Sequence, residues 1–207
     1  MKKKLRIVTG CIAMCAAVLT GCGGSLDVEV STIALQKNGK ITETSIEDFS
    51  ASYYDEDELA AYIEEAVDEY VEENGKGTVK VSSSLVEESE AYLTIKYDSS
   101  DTYADFTGEE CFSGDLLEAQ AAGYDFDTEF YAVSDGETAS ETVSSETVLE
   151  DEELSVFIVR TNAAVQVPGT ILYASADSSE ITSSDTVSYV SDGENEDEMR
   201  LVYIVYE

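Results

Sequence analysis

The chain has 207 residues, no histidine and no tryptophan, and its 45 acidic against 11 basic residues give a formal net charge of −34. Without imidazole it can build neither a Ser-His-Asp nor a Cys-His pair, nor a histidine-ligated zinc or haem site. So acidic a surface repels nucleic acid and anionic head groups and favours cationic partners.

In chain order, the first predicted element is a secretory signal. Lys2, Lys3, Lys4 and Arg6 form a basic head, and the run from Ile7 to Leu19 carries no charge. As a helix that run would span about 20 Å, short of the roughly 30 Å hydrocarbon core of a bilayer, which argues against a membrane-spanning segment. It ends in Leu19, Thr20, Gly21 and Cys22. These four residues resemble the lipobox of bacterial lipoproteins, where an aliphatic and two small residues precede the cysteine that becomes the mature N-terminus. The resemblance implies cleavage between Gly21 and Cys22, a diacylglyceryl anchor on the Cys22 sulfur with acyl chains such as palmitate, and residence on the outer face of the cell membrane. Two acyl chains, at about 0.8 kcal/mol per buried methylene, anchor a protein stably.

The expected organisation is therefore a signal peptide over 1–21, a flexible tether over 22–31 and a single α+β domain over 32–207. Loss of the signal removes four of the 11 basic residues and none of the 45 acidic ones, leaving a net charge of −38. Cys11 and Cys15 leave with the signal and Cys22 carries lipid. Cys111 is then the one free thiol, and an internal disulfide is excluded. Nothing basic lies near Cys111 in sequence, so it is expected to be a small buried hydrophobe rather than a nucleophile.

Strands are predicted at about 32–37 and 40–46, joined by Asn38-Gly39, where both turn residues accept positive φ. Next, Leu59, Tyr62, Ile63, Ala66, Val67 and Tyr70 fall on one face of an amphipathic helix over about 56–73. Asp55 and Glu58 stand at its N-cap and N3 positions, Tyr54 and Leu59 can form a hydrophobic staple, and Gly75 follows the last turn. Strands follow at about 78–86 and 91–97, the second with Ala91, Leu93, Ile95 and Tyr97 inward and Tyr92, Thr94 and Lys96 outward. A short helix is predicted at about 114–122, with Ser113 as cap and Gly123 as terminator. Residues 134–153, rich in Ser, Thr, Asp and Glu, read as an acidic loop. The last third returns to strands at 154–160, 165–175 (broken at Pro168-Gly169), 186–190 and 200–206. The resulting fold class is α+β, a mainly antiparallel sheet with one long amphipathic helix and one short helix.

The stretches NGKITETSIEDF, YYDEDELAAYIEEAVDEY, YADFTGEECFSGDLLEAQAAGYDF and VPGTILYAS resemble a group of lipoproteins from clostridial bacteria. That resemblance touches most of the chain beyond Cys22 and implies the same localisation. It implies no activity and carries over no functional residue.

Candidate sites are sparse. The acidic runs at 192–198 and 125–130 lack glycine where an EF-hand loop needs it, so no metal or other cofactor is expected. Two carboxylates can hydrolyse a glycosidic bond without histidine, but no pair stands out among so many, and no catalytic residue is nominated. No phosphate loop, dinucleotide fingerprint or Gly-x-Ser-x-Gly elbow is present. Thirteen tyrosines offer binding surface. Tyr62, Tyr70 and Tyr97 fall at apolar-face positions and are expected in the core, whereas Tyr53, Tyr92 and Tyr103 are freer. The expected function is a non-catalytic binding or assembly module at the cell envelope, contacting an envelope protein or a cationic ligand. The alternative is a small carboxylate-dependent hydrolase of cell-wall material.

Overall fold

The structure, a computed structural model, describes residues 28–134, 136–177, 179–189 and 199–207. The expected signal peptide, Gly21, Cys22, most of the tether and the acidic run at 192–198 lie outside the described residues.

The first strands are β1 (Thr32–Leu35) and β2 (Ile41–Asp48), followed by α1 (Glu56–Asn74). Then come β3 (Val79–Glu87), β4 (Glu90–Tyr97), α2 (Ser100–Thr107), β5 (Cys111–Asp115) and α3 (Leu116–Ala121). Next are β6 (Phe130–Ser134), β7 (Glu137–Val143), α4 (Ser145–Val148), β8 (Ser155–Thr161) and β9 (Ala164–Gln166). The last strands are β10 (Ile171–Ser175), β11 (Ser179–Ile181), β12 (Thr186–Tyr189) and β13 (Arg200–Tyr206). Among the described residues these strands form a seven-stranded sheet in the order β11-β12-β9-β1-β2-β4-β3 and a six-stranded sheet in the order β5-β8-β13-β10-β6-β7. Pairing is antiparallel except where β1 runs parallel to β9, with Thr32 opposite Ala164.

This corrects the expected fold class. The described part is mostly β, 44% strand and 22% helix, with two sheets and four helices rather than one sheet with one long and one short helix. The amphipathic helix at 56–73 is present as α1, and the short helix at 114–122 as α3. What sequence patterning missed is the second sheet and the elements that complete it.

The reason lies in the two apolar cores. Ile33, Ile41 and Tyr97 of the seven-stranded sheet share a core with Phe157, Val159, Val202 and Ile204 of the six-stranded one. The intervening residues Val156, Ile158, Tyr203 and Val205 point the other way and pack with Leu116 and Ala119 of α3, Val148 of α4, and Phe126. Strands β8 and β13 are thus covered on both faces, the physical meaning of their unbroken apolar runs. The stretch 134–153, expected as a loop, contains β7 and α4, and Val148 is 1% exposed. Its polar residues ride on the edge strand β7, and the buried Val148 of α4 anchors the segment to the core.

Local expectations met mixed outcomes. Asp55 caps α1 by accepting from the Glu58 amide at 3.0 Å. For α3 the cap is Asp115, not Ser113, in a reciprocal capping box with Glu118. In the β1–β2 turn only Gly39 has positive φ, at 78°, and Gln36 exchanges backbone hydrogen bonds with Gly39 and Lys40, so the turn is a three-residue type with a glycine bulge. Thr94, expected to face outward, is 2% exposed and shares a 3.0 Å hydrogen bond with Thr44.

Candidate functional site

Three features of the described residues carry chemistry beyond packing. The first is a carboxylate inside the sandwich. Glu43 on β2 lies opposite Ile33 of β1 and Ile95 of β4, both core residues. Strand alternation therefore turns its side chain inward. Tyr97 donates to its Oε2 at 2.8 Å, and Tyr103, brought in by α2, donates to its Oε1 at 3.4 Å. Burial pushes the Glu43 carboxyl above its ordinary value of 4.5, opposed by the two tyrosine hydrogen bonds. Burial and the Glu43 charge in turn push both phenols far above their ordinary range. Cys111 lies alongside, 6% exposed, and burial, reinforced by Asp101 and Glu43, raises its thiol as well. At neutral pH it is an un-ionised, inert thiol, as expected from sequence.

The second feature is an open groove at the end of the six-stranded sheet, about 650 Å³, lined by Asp127, Glu129, Asp177 and the hydroxyls of Thr128, Thr142, Ser144 and Ser145. It adjoins a smaller hollow that shares Thr128 and Asp177 and includes Arg160 and Arg200. Arg160 is ion-paired with Glu110, and Arg200 donates to the Asp177 carbonyl at 2.8 Å. No group of three or more His, Cys, Asp or Glu side chains among the described residues is placed to hold a metal ion.

The third feature is an aromatic corner between β2 and α1. Asp48 ends β2 and accepts from the Ser50 amide at 2.8 Å, while the Phe49 amide donates to the Ser89 carbonyl at 2.8 Å, pinning the loop to the β3–β4 turn. The Tyr54 amide then donates to the Ala51 carbonyl at 3.0 Å, just before the Asp55 cap. This folding stacks Phe49 on Tyr54, with ring centroids 4.8 Å apart and planes 17° apart. Tyr53 meets Tyr54 at 4.8 Å and 63°, and the two rings are 79% and 47% exposed. Hydrogen bonding with Tyr53, the Tyr53 charge, slight desolvation and the nearby Asp48 charge all raise the Tyr54 phenol above its ordinary value.

The tyrosine expectations are therefore partly reversed. Tyr97 is buried as expected, Tyr70 is half-buried and donates to Asp105 at 2.9 Å, but Tyr62 is 72% exposed. Tyr62 lies at the margin of the apolar stripe, outside the arc that Ile63 and Val67 bury. Tyr103, expected to be free, is 3% exposed because α2, not predicted from sequence, turns it into the core. Tyr53 is free as expected, and Tyr92 is half-buried, donating to Glu90 at 2.6 Å. Glu43 gave no sequence signal, since it is one acid among many in an alternating strand. Compared with known proteins, the chain matches no family model, no curated protein and no solved structure.

Proposed function

We propose that this protein is a lipid-anchored lipoprotein on the outer face of the cell membrane, held by a diacylglyceryl group on Cys22 after cleavage behind Gly21. Its folded part serves as a non-catalytic binding or assembly module for an envelope protein or a cationic ligand. The anchor rests on the basic head, the short apolar run and Leu19-Thr20-Gly21-Cys22. The observation that carries the binding role is the exposed aromatic corner. Tyr53 leaves four-fifths of a large amphipathic ring in water, a cost folding alone does not require, and such rings are the residues that dominate interface energetics.

The rival hydrolase draws on Asp127, Glu129 and Asp177, three carboxylates that line one groove. Two measurements on the full chain test the proposal. Intact-mass spectrometry of protein extracted from membranes is expected to give an acylated N-terminus at Cys22, and a different N-terminus or an unacylated mass overturns the anchor. Incubation with purified wall material is expected to release nothing, and soluble sugar or peptide fragments that vanish in Asp127→Asn or Asp177→Asn would replace the binding module with the hydrolase.

A further inference from the structure

We infer that the corner formed by Tyr53 and Tyr54 is a binding site for ammonium groups, and that its occupant is a lysine side chain on an exposed segment of a partner protein. The inference deepens the binding-module reading and rests on it. Three observations converge on this chemistry.

The first is geometry. Two phenol rings meet at 63° with centroids 4.8 Å apart, forming a corner whose Tyr54 wall is stacked on Phe49. A cation within about 6 Å of such ring faces is attracted by their quadrupoles, and several rings at an angle act together. Packing does not explain the arrangement, because Tyr53 is 79% exposed.

The second is the charge around it. Asp48 stands close enough to Tyr54 for its charge to act on the phenol, and Asp55, Glu56, Asp57 and Glu58 follow directly in the cap and first turn of α1. An ammonium drawn to the rings therefore enters a strongly negative local field.

The third is the sorting of charge along the seven-stranded sheet. From Ile41 to Gly75 there are 13 acidic residues and no Lys or Arg. All five lysines beyond residue 27 lie toward the other end: Lys37 and Lys40 in the β1–β2 turn, Lys76 before β3, and Lys80 opposite Lys96, which is itself opposite Thr42 near the start of β2. The corner sits past Asp48, at the far end of β2. Six residues of strand separate Thr42 from Asp48, about 20 Å, more than two Debye lengths at physiological salt. The chain's own lysines therefore leave the corner to an outside cation, and the surplus of negative charge steers one toward it.

Isothermal titration of the full chain in detergent micelles with an octalysine peptide, at about 0.15 M salt, tests this. Binding is expected for the wild type, with affinity reduced about fivefold or more in Tyr53→Ala. It should be retained in Tyr53→Phe, which keeps the ring, and in Tyr62→Ala, an equally exposed tyrosine on α1. An octaglutamate peptide should give no heat. Equal affinity in Tyr53→Ala and wild type would overturn the inference, because net charge alone would then hold the peptide. Absence of octalysine binding to the wild type would overturn it too. If either occurs while the full chain still crosslinks to an envelope protein in cells, the ammonium site falls and the binding module stands. Hydrolysis of wall material would remove the module itself.

Discussion

Glu43 shows how much one residue's meaning depends on its surroundings. In sequence it is one of 45 acids; in the fold it faces two core isoleucines and takes hydrogen bonds from Tyr97 and Tyr103. Its folded-state pKa lies above the ordinary 4.5, so the folded chain holds that proton more tightly than the unfolded chain. The resulting stabilisation is complete below about pH 4.5 and is lost as the pH rises through the window above it, up to the raised folded value. Glu43→Gln keeps an acceptor for Tyr97 and removes the charge. Melting temperatures across pH 4 to 8 should therefore fall less steeply in the variant than in the wild type, and parallel curves would refute the assignment. Gly169 is a residue whose constraint is steric. A Cβ there would lie 2.1 Å from the Glu207 carbonyl oxygen, the same oxygen that accepts from the Thr170 amide at 2.9 Å. Gly169→Ala must push the end of β13 away from β10 and should cost about 1–3 kcal/mol in urea unfolding.

At the scale of elements, turns separate what is written locally from what is not. Asn38-Gly39 announces its hairpin, although only the glycine takes positive φ. The β3–β4 hairpin carries no such signal. It turns on Glu88 and Ser89, with φ of 51° and 71°, a left-handed pair in residues that tolerate it poorly. The pairing on either side, Glu87 with Glu90 and Val86 with Ala91, imposes that conformation. Replacing the pair by Asn-Gly should stabilise the protein by about 1 kcal/mol, read as a higher urea midpoint with an unchanged slope. No gain would mean that the turn is relaxed. Helix α2 went unpredicted for a related reason. Its eight residues are mostly polar and hold their place through a Ser99 cap on Thr102 at 3.1 Å and one buried ring, Tyr103.

For the molecule as a whole, the decisive feature is one apolar core shared by two sheets. Phe157 of β8 is fully buried in it, alongside Ile33, Ile41 and Tyr97 from the opposite sheet. Phe157→Ala leaves a cavity that neither sheet can fill alone, and the expected loss is about 3–5 kcal/mol. Because both sheets line that cavity, far-ultraviolet and tyrosine near-ultraviolet signals should shift together to a lower melting temperature. Separate transitions would show that the sheets are stabilised independently. Charge is organised on the same scale: the lysines gather toward one end of the seven-stranded sheet and the exposed Tyr53 and Tyr54 lie past the other, a polarity visible only once β2, β3 and β4 are aligned.

By itself the sequence determined what is local or compositional. The absence of histidine excludes imidazole chemistry, the apolar stripe and Asp55 cap place α1, the long β-prone runs place most of the principal strands, and Cys111 is legible as a buried thiol. Each follows from contacts within a few residues, where backbone hydrogen bonding and side-chain periodicity act. Tertiary structure alone decided the rest. Strand pairing joins residues that are distant in the chain, such as Thr32 and Ala164, and no short period encodes it. That pairing split one expected sheet into two and set Glu43 opposite two core isoleucines, while the docking of α2 buried Tyr103 and that of α1 through Ile63 and Val67 left Tyr62 in solvent. The aromatic corner stands between these limits. Tyr53 and Tyr54 are adjacent in sequence, but the Phe49 stacked on Tyr54 is held in place by the carbonyl of Ser89, forty residues on.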